Sequence, residues 1–201
     1  MPEIRLFVVD TGPLITLAAA DSLDYLLLVE RAPVVIPDAV FYEATHDASR
    51  LGATDILGWV KTHRDRVSIA PTNAYVVFTT ARLTDPSVRS VNLGEQAAVE
   101  VIEEPDRLRG EERAILLCEE TAVLKRITVR DTRRIVELST MDFLRVLESE
   151  RRIQSADAVF ERALARGRTP SRNERLATHE ADVQMTIAAL VPPLQDNGPD
   201  D

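Results

Sequence analysis

The length of 201 residues, with 45% hydrophobic and 28% charged residues, fits one compact domain with a tail, or at most two small domains. A formal net charge of −9 argues against a globally positive nucleic-acid-binding surface, but leaves open a local site of carboxylates and cations. Since the chain has no apolar run of ~18–20 residues, no signal peptide and only one cysteine, Cys118, we expect a cytoplasmic protein without an internal disulfide or a thiolate zinc cluster.

Short apolar runs alternate with segments of helical periodicity along most of the chain. The predicted strands are residues 4–9, 34–36, 67–70, 114–118, 127–129 and 135–138. The predicted helices are residues 12–18 (capped by Thr11), 21–31, 39–44, 54–63, 94–104, 140–150, 156–166 and 172–190. Residues 71–92 are compatible with either extended structure or a helix.

This alternation predicts an α/β fold with a mainly parallel central sheet. We expect a main domain over residues 1–150 and a helical extension over 151–190, where strand patterns cease. Residues 191–201 are polar and proline-rich, which predicts a disordered tail.

Acidic residues follow or lie near the predicted strand ends. In an open parallel sheet, ligands bind beyond the carboxyl ends of the strands, so these acids are candidate site residues. The candidates are Asp10 after the first strand, Asp38 after the second, Glu119 and Glu120 after the fourth, and Glu43 and Glu95 within helices.

Carboxylates gathered at a sheet edge repel one another, and a hard dication relieves that repulsion. Mg²⁺ and Mn²⁺ prefer oxygen ligands and can activate water for cleavage of a phosphodiester. Such chemistry needs no histidine or serine nucleophile, which suits a chain with three histidines.

Each acid also has an ordinary structural interpretation. Asp10 could shape a turn or cap a helix, and Glu43 could be a solvated helix residue. Glu95, Glu119 and Glu120 could complement helix dipoles. With 33 acidic residues in the chain, spacing alone leaves both interpretations open.

The chain resembles the PIN-domain family in five segments, which together span about residues 4–150. The matching segments are residues 7–15, 34–43, 93–98, 119–120 and 138–144. The resemblance implies a three-layer α/β/α fold and Mg²⁺- or Mn²⁺-dependent ribonuclease activity, as in VapC-type toxins of bacterial toxin–antitoxin pairs. It also implies an RNA substrate and a small antitoxin protein as partners; a homodimer is a further candidate assembly.

The resemblance assigns roles to individual residues. Asp10, Glu43 and Glu95 match the first three acids, which hold one or two metal ions. Glu120, with Glu119 beside it, stands where the family usually has an aspartate. The supporting positions are Thr11 and either Ser139 or Thr140. Because a glutamate replaces the fourth aspartate, the alternative function is a catalytically silent PIN-like module that binds protein or RNA.

Arginines outnumber acidic residues by three between positions 145 and 175, the most basic part of the chain. One interpretation is a contact with the RNA backbone through Arg151, Arg152 and Arg168. The other is a solvated helix face with ion pairs.

Overall fold

The computed structural model describes residues 4–29, 32–104, 108–110, 112–119 and 134–169. Five strands form one parallel sheet in the order β3-β2-β1-β4-β5. The strands are β1 Ile4–Val9, β2 Val34–Pro37, β3 Val67–Ala70, β4 Arg113–Leu117 and β5 Ile135–Leu138. The chain builds the sheet outward from β1 to β3 and then returns to the other side of β1, so the direction of strand order switches between β1 and β4.

Helices cover both faces of this sheet. The α-helices are α1 Thr11–Ala19, α2 Asp38–Thr45, α3 Ala53–Thr62, α4 Asn73–Thr84, α5 Leu93–Glu103, α6 Thr140–Ser149 and α7 Ala156–Ala165. A 3₁₀ helix covers Leu23–Leu28. Among the described helices, none has the length and apolar character needed to cross a membrane.

Strand β1 is buried on both faces because its alternate residues enter two separate cores. Phe7 and Val9 belong to the larger core, which also contains residues of α1, α3, α6 and α7. Leu6 and Val8 face the smaller core beneath α5. Successive side chains of a strand point to opposite faces, and both faces are buried here, so the strand sequence is a continuous apolar run. The predicted α/β/α layering around a parallel sheet is confirmed.

Residues 71–92, which the sequence left open, contain the helix α4. Thr72 caps it: its Oγ1 accepts a hydrogen bond from the Tyr75 N–H and donates one of 2.6 Å to Asp38 Oδ1. Asp38 Oδ2 also accepts the Thr72 N–H at 3.0 Å. The candidate ligand Asp38 therefore joins the start of α2 to the start of α4.

Two helix starts differ from the predicted ones. Thr11 is the first residue of α1, and Asp10 takes the N-cap position. This register places Pro13 within the first turn, where its missing N–H costs no intrahelical bond. The segment predicted as helix 21–31 begins its 3₁₀ helix only after Asp21, which has a φ of 51°.

Helix α7 belongs to the same core as β1. Val159 and Phe160 are buried in the larger core, and Arg162 Nε donates to the carbonyl of Ala20 at the end of α1. The first helix of the extension thus packs against α1. The predicted strand 127–129, helix 172–190 and tail 191–201 lie outside the described residues.

Two glycines of α3 make a matched stability test. Gly52, at the N-cap, has a φ of 78°, and a Cβ there would lie 2.7 Å from Ala18 Cβ. We expect Gly52→Ala to lower the free energy of unfolding by ~2–4 kcal/mol, through left-handed backbone strain and overpacking.

Gly58 is the control because a Cβ at this helical position meets nothing within 4 Å. Gly58→Ala should raise the free energy of unfolding by ~0.5–1 kcal/mol. Urea denaturation measures both variants. Equal stability of Gly52→Ala and wild type would contradict the packing of α3 on α1.

Candidate functional site

The candidate site lies at the carboxyl edge of the sheet, where β1 and β4 end side by side. The Asp10 N–H donates to the Leu117 carbonyl at 2.9 Å, so Asp10 directly adjoins the end of β4. Strand order switches between these two strands, and in open α/β sheets such a point leaves a crevice for ligands. The fold therefore puts the first predicted site residue at the expected position.

On one side of α1, a contact joins three helices. Thr11 Oγ1 donates to Glu43 Oε2 at 3.0 Å, linking α1 to α2. A Cβ on Gly94, in the first turn of α5, would lie 2.8 Å from the same Glu43 oxygen and 3.2 Å from Thr11 Oγ1. A side chain at this position would force the Glu43 carboxylate to move, so Gly94 allows the first turn of α5 to approach Glu43.

The electrostatics of this contact favour a cation. Burial raises the pKa of the Glu43 carboxyl, and the negative charge of Glu95 raises it further. Hydrogen bonds from the Thr11 hydroxyl and the Gly94 N–H, together with the charge of Arg50, act in the opposite direction. Ionised Glu43 and Glu95 thus disfavour each other, and a bound dication would stabilise both charged forms.

Glu119 lies on a different face of α1. Gly12 and Thr16 are four residues apart, so they share that face. Thr16 Oγ1 donates to Glu119 Oε1 at 2.6 Å, and a Cβ on Gly12 would lie 3.1 Å from Glu119 Cδ. Thr140 Oγ1, at the start of α6, donates to the same Glu119 oxygen at 3.2 Å.

The predicted acids are therefore brought together in part. Glu43 and Glu95 interact with each other, Asp10 immediately precedes Thr11, and Glu119 points to the Thr16 side. Glu120 lies outside the described residues, and its role stays a prediction. Among the described residues, no three acidic, histidine or cysteine side chains form a group that could hold a metal ion. The oxygen donors present still suit Mg²⁺, which often uses one or two carboxylates and keeps several waters.

Two of the predicted supporting residues contact acids of the site, and the third only caps a helix. Thr11 contacts Glu43 and Thr140 contacts Glu119, whereas Ser139 caps α6. Ser139 Oγ accepts the Asp142 N–H and donates to Asp142 Oδ2 in a capping box. Thr16 was not among the predicted site residues, since its only local signal is its spacing from Gly12.

The three arginines predicted to contact RNA lie in different places. Arg168 reaches Glu119, with Nη2 2.9 Å from Oε2. Arg151 and Arg152 follow α6, which begins at the site edge, so they lie about 15 Å of helix away from that edge. Elsewhere in this segment Arg145 pairs with Glu148 and Asp157, which favours the ion-pair interpretation there.

Comparison with known proteins adds no assignment to this geometry. No family model matches the chain, and no curated protein matches it. Functional inference therefore rests on the fold, on the contacts among these residues and on the resemblance in sequence.

We expect Gly94→Ala to lower the free energy of unfolding by ~0.5–1.5 kcal/mol, because the added methyl group would displace the Glu43 carboxylate from its hydrogen bond with Thr11. Urea denaturation measures the loss. Gly58→Ala makes the same chemical change in open space and serves as the control. Wild-type stability of Gly94→Ala would contradict the close approach.

The raised pKa of Glu43 predicts a pH dependence. The folded protein keeps a proton on Glu43 that the unfolded chain loses near pH 4.5, so this group's contribution to stability falls as pH rises through the folded pKa. Glu43→Gln lacks this titration. In metal-free buffer, its free energy of unfolding should rise relative to wild type as pH increases above 4.5.

Asp85→Asn is the matched control. The hydroxyl and N–H of Ser87 lower the pKa of Asp85 below 3.8, so this variant's difference from wild type should stay constant above that pH. Urea denaturation of the three proteins between about pH 4.5 and 7.5 gives the comparison. A Glu43→Gln difference that does not change with pH would contradict the burial argument.

Proposed function

We propose that the protein is a metal-dependent endoribonuclease, the toxin of a toxin–antitoxin pair acting in the cytoplasm. The observation that carries the proposal is the meeting of Thr11, Glu43 and the Gly94–Glu95 turn beside Asp10, at the strand-order switch. The resemblance to the PIN-domain family implies acids in these positions. The proposed partners are an RNA substrate, a small antitoxin protein and a second copy of the chain.

In this proposal Asp10, Glu43, Glu95 and Glu120 hold one or two Mg²⁺ or Mn²⁺ ions. When bound, such ions activate water and stabilise the oxygens of a phosphodiester undergoing hydrolysis. The Thr11 hydroxyl fixes Oε2 of Glu43 by a hydrogen bond. Because Gly94 has no side chain, the first turn of α5 can approach this same oxygen.

A second candidate function is a catalytically silent PIN-like module that binds protein or RNA. One observation favours it: glutamate stands at position 120, where the family usually has an aspartate. Metal binding and cleavage separate the two functions.

We expect Asp10→Asn to lower Mn²⁺-dependent cleavage of a panel of RNAs by at least about 100-fold, because a lost metal ligand removes several kcal/mol of transition-state stabilisation. Cleavage is followed by gel electrophoresis of labelled RNA. Mn²⁺ should also raise the melting temperature of wild type more than that of Asp10→Asn.

Asp85→Asn is the control, since it removes a negative charge from an exposed residue whose hydrogen-bond partner is Ser87. It should cleave as wild type does. Equal cleavage by Asp10→Asn and wild type would overturn the site assignment. Absence of both cleavage and metal stabilisation in wild type would favour the silent module.

A further inference from the structure

Arg168 connects the helical extension to the candidate site through three groups. Its Nη2 donates to Glu119 Oε2 at 2.9 Å and to the Gly12 carbonyl at 3.4 Å. Its Nε donates to Thr16 Oγ1 at 3.1 Å. The guanidinium is thus fixed against the first two turns of α1, with a quarter of the side chain exposed.

Two arginines before Arg168 bind the segment that follows α1 and so hold the extension against that helix. Arg162 donates to the carbonyl of Ala20 and to Ser22 Oγ, just after α1 ends. Arg166 pairs with Asp21 in the same turn. The segment from Arg162 to Arg168 therefore contacts α1 first at its C-terminal end and then, through Arg168, at its N-terminal turns.

The contact also occupies both oxygens of Glu119. Oε1 accepts hydrogen bonds from Thr16 and Thr140, and Oε2 accepts one from Arg168. The side chain of Glu119 is only 9% exposed, so its charge needs compensation within the protein. A metal ion that approached Glu119 would have to compete with these three donors and would meet the positive charge of Arg168.

We propose that Arg168 is a positioning residue that keeps Glu119 out of the metal-binding set and cancels its charge. This inference rests on the proposed metal-dependent function and specifies which acids belong to the site. Glu119 then anchors the extension, and the metal is left to the acids on the Thr11 side of α1. The strength of metal binding is set in part by a residue more than 150 positions from Asp10 in the sequence.

A charge cycle tests this inference by measuring the Kd for Mn²⁺ with isothermal titration calorimetry. Arg168→Gln leaves Glu119 negative and uncompensated, and should tighten binding about three- to fivefold. We obtain this factor from Coulomb's law, for one unit charge acting on a divalent cation across about one helix diameter in a medium close to water. Glu119→Gln leaves Arg168 positive and should weaken binding by a similar factor. The double variant should return close to the wild-type Kd.

A merely structural role for Arg168 would not give opposite changes in the two single variants. Arg168→Lys keeps the charge and should keep the wild-type Kd, and thermal melting identifies any variant that fails to fold. Unchanged or equally weakened Mn²⁺ binding in both single variants, or a double variant that binds as weakly as Glu119→Gln, would overturn this inference alone when wild type binds normally. No Mn²⁺ binding by wild type would overturn the proposed function and this inference with it.

Discussion

The hydrogen bond from the Asp10 N–H to the Leu117 carbonyl closes the pairing of β1 with β4, and the site depends on it. Because β1 has both faces buried, it cannot slide relative to β4 without exposing one of the two cores. Helix α1 starts at the next residue, with no loop between. The register of two buried strands therefore fixes where the first turn of α1 presents its side chains.

That first turn separates two acidic environments at the same sheet edge. Thr11 faces Glu43 and the start of α5, where like charges and burial favour an added cation. Gly12 and Thr16 face Glu119, where the cation is already supplied by the protein as Arg168. An acidic protein can thus hold several carboxylates at one edge, because one of them carries its own counter-charge.

Local sequence patterns predicted most of the elements and the position of Asp10. The strands followed from apolar runs ended by turn residues, and α6 from its cap at Ser139. The sequence left the segment of α4 open between a helix and extended structure, since the helix start depends on Asp38, a residue distant in sequence that binds Thr72.

The sequence predicted those parts of the candidate site that lie within one short segment of the chain. The turn Gly94–Glu95 and the junction at Asp10 are local, and the sequence identified both. The ion pair between Glu119 and Arg168 joins residues 49 positions apart in the sequence, so the spacing of nearby residues cannot predict it. The arginine excess predicted RNA contacts, which stay a prediction; among the described residues, Arg145 and Arg168 form ion pairs with acids of the same chain.

The packing of α7 on α1 has a consequence for folding kinetics. Ribosomes synthesise α1 early and α7 after every other described element. The hydrophobic side of α1 that packs against α7 therefore stays exposed while the intervening chain is made. Contacts between residues so far apart in sequence slow folding. Until α7 is made, the face of α1 that it covers stays exposed, and such apolar surface promotes aggregation during folding.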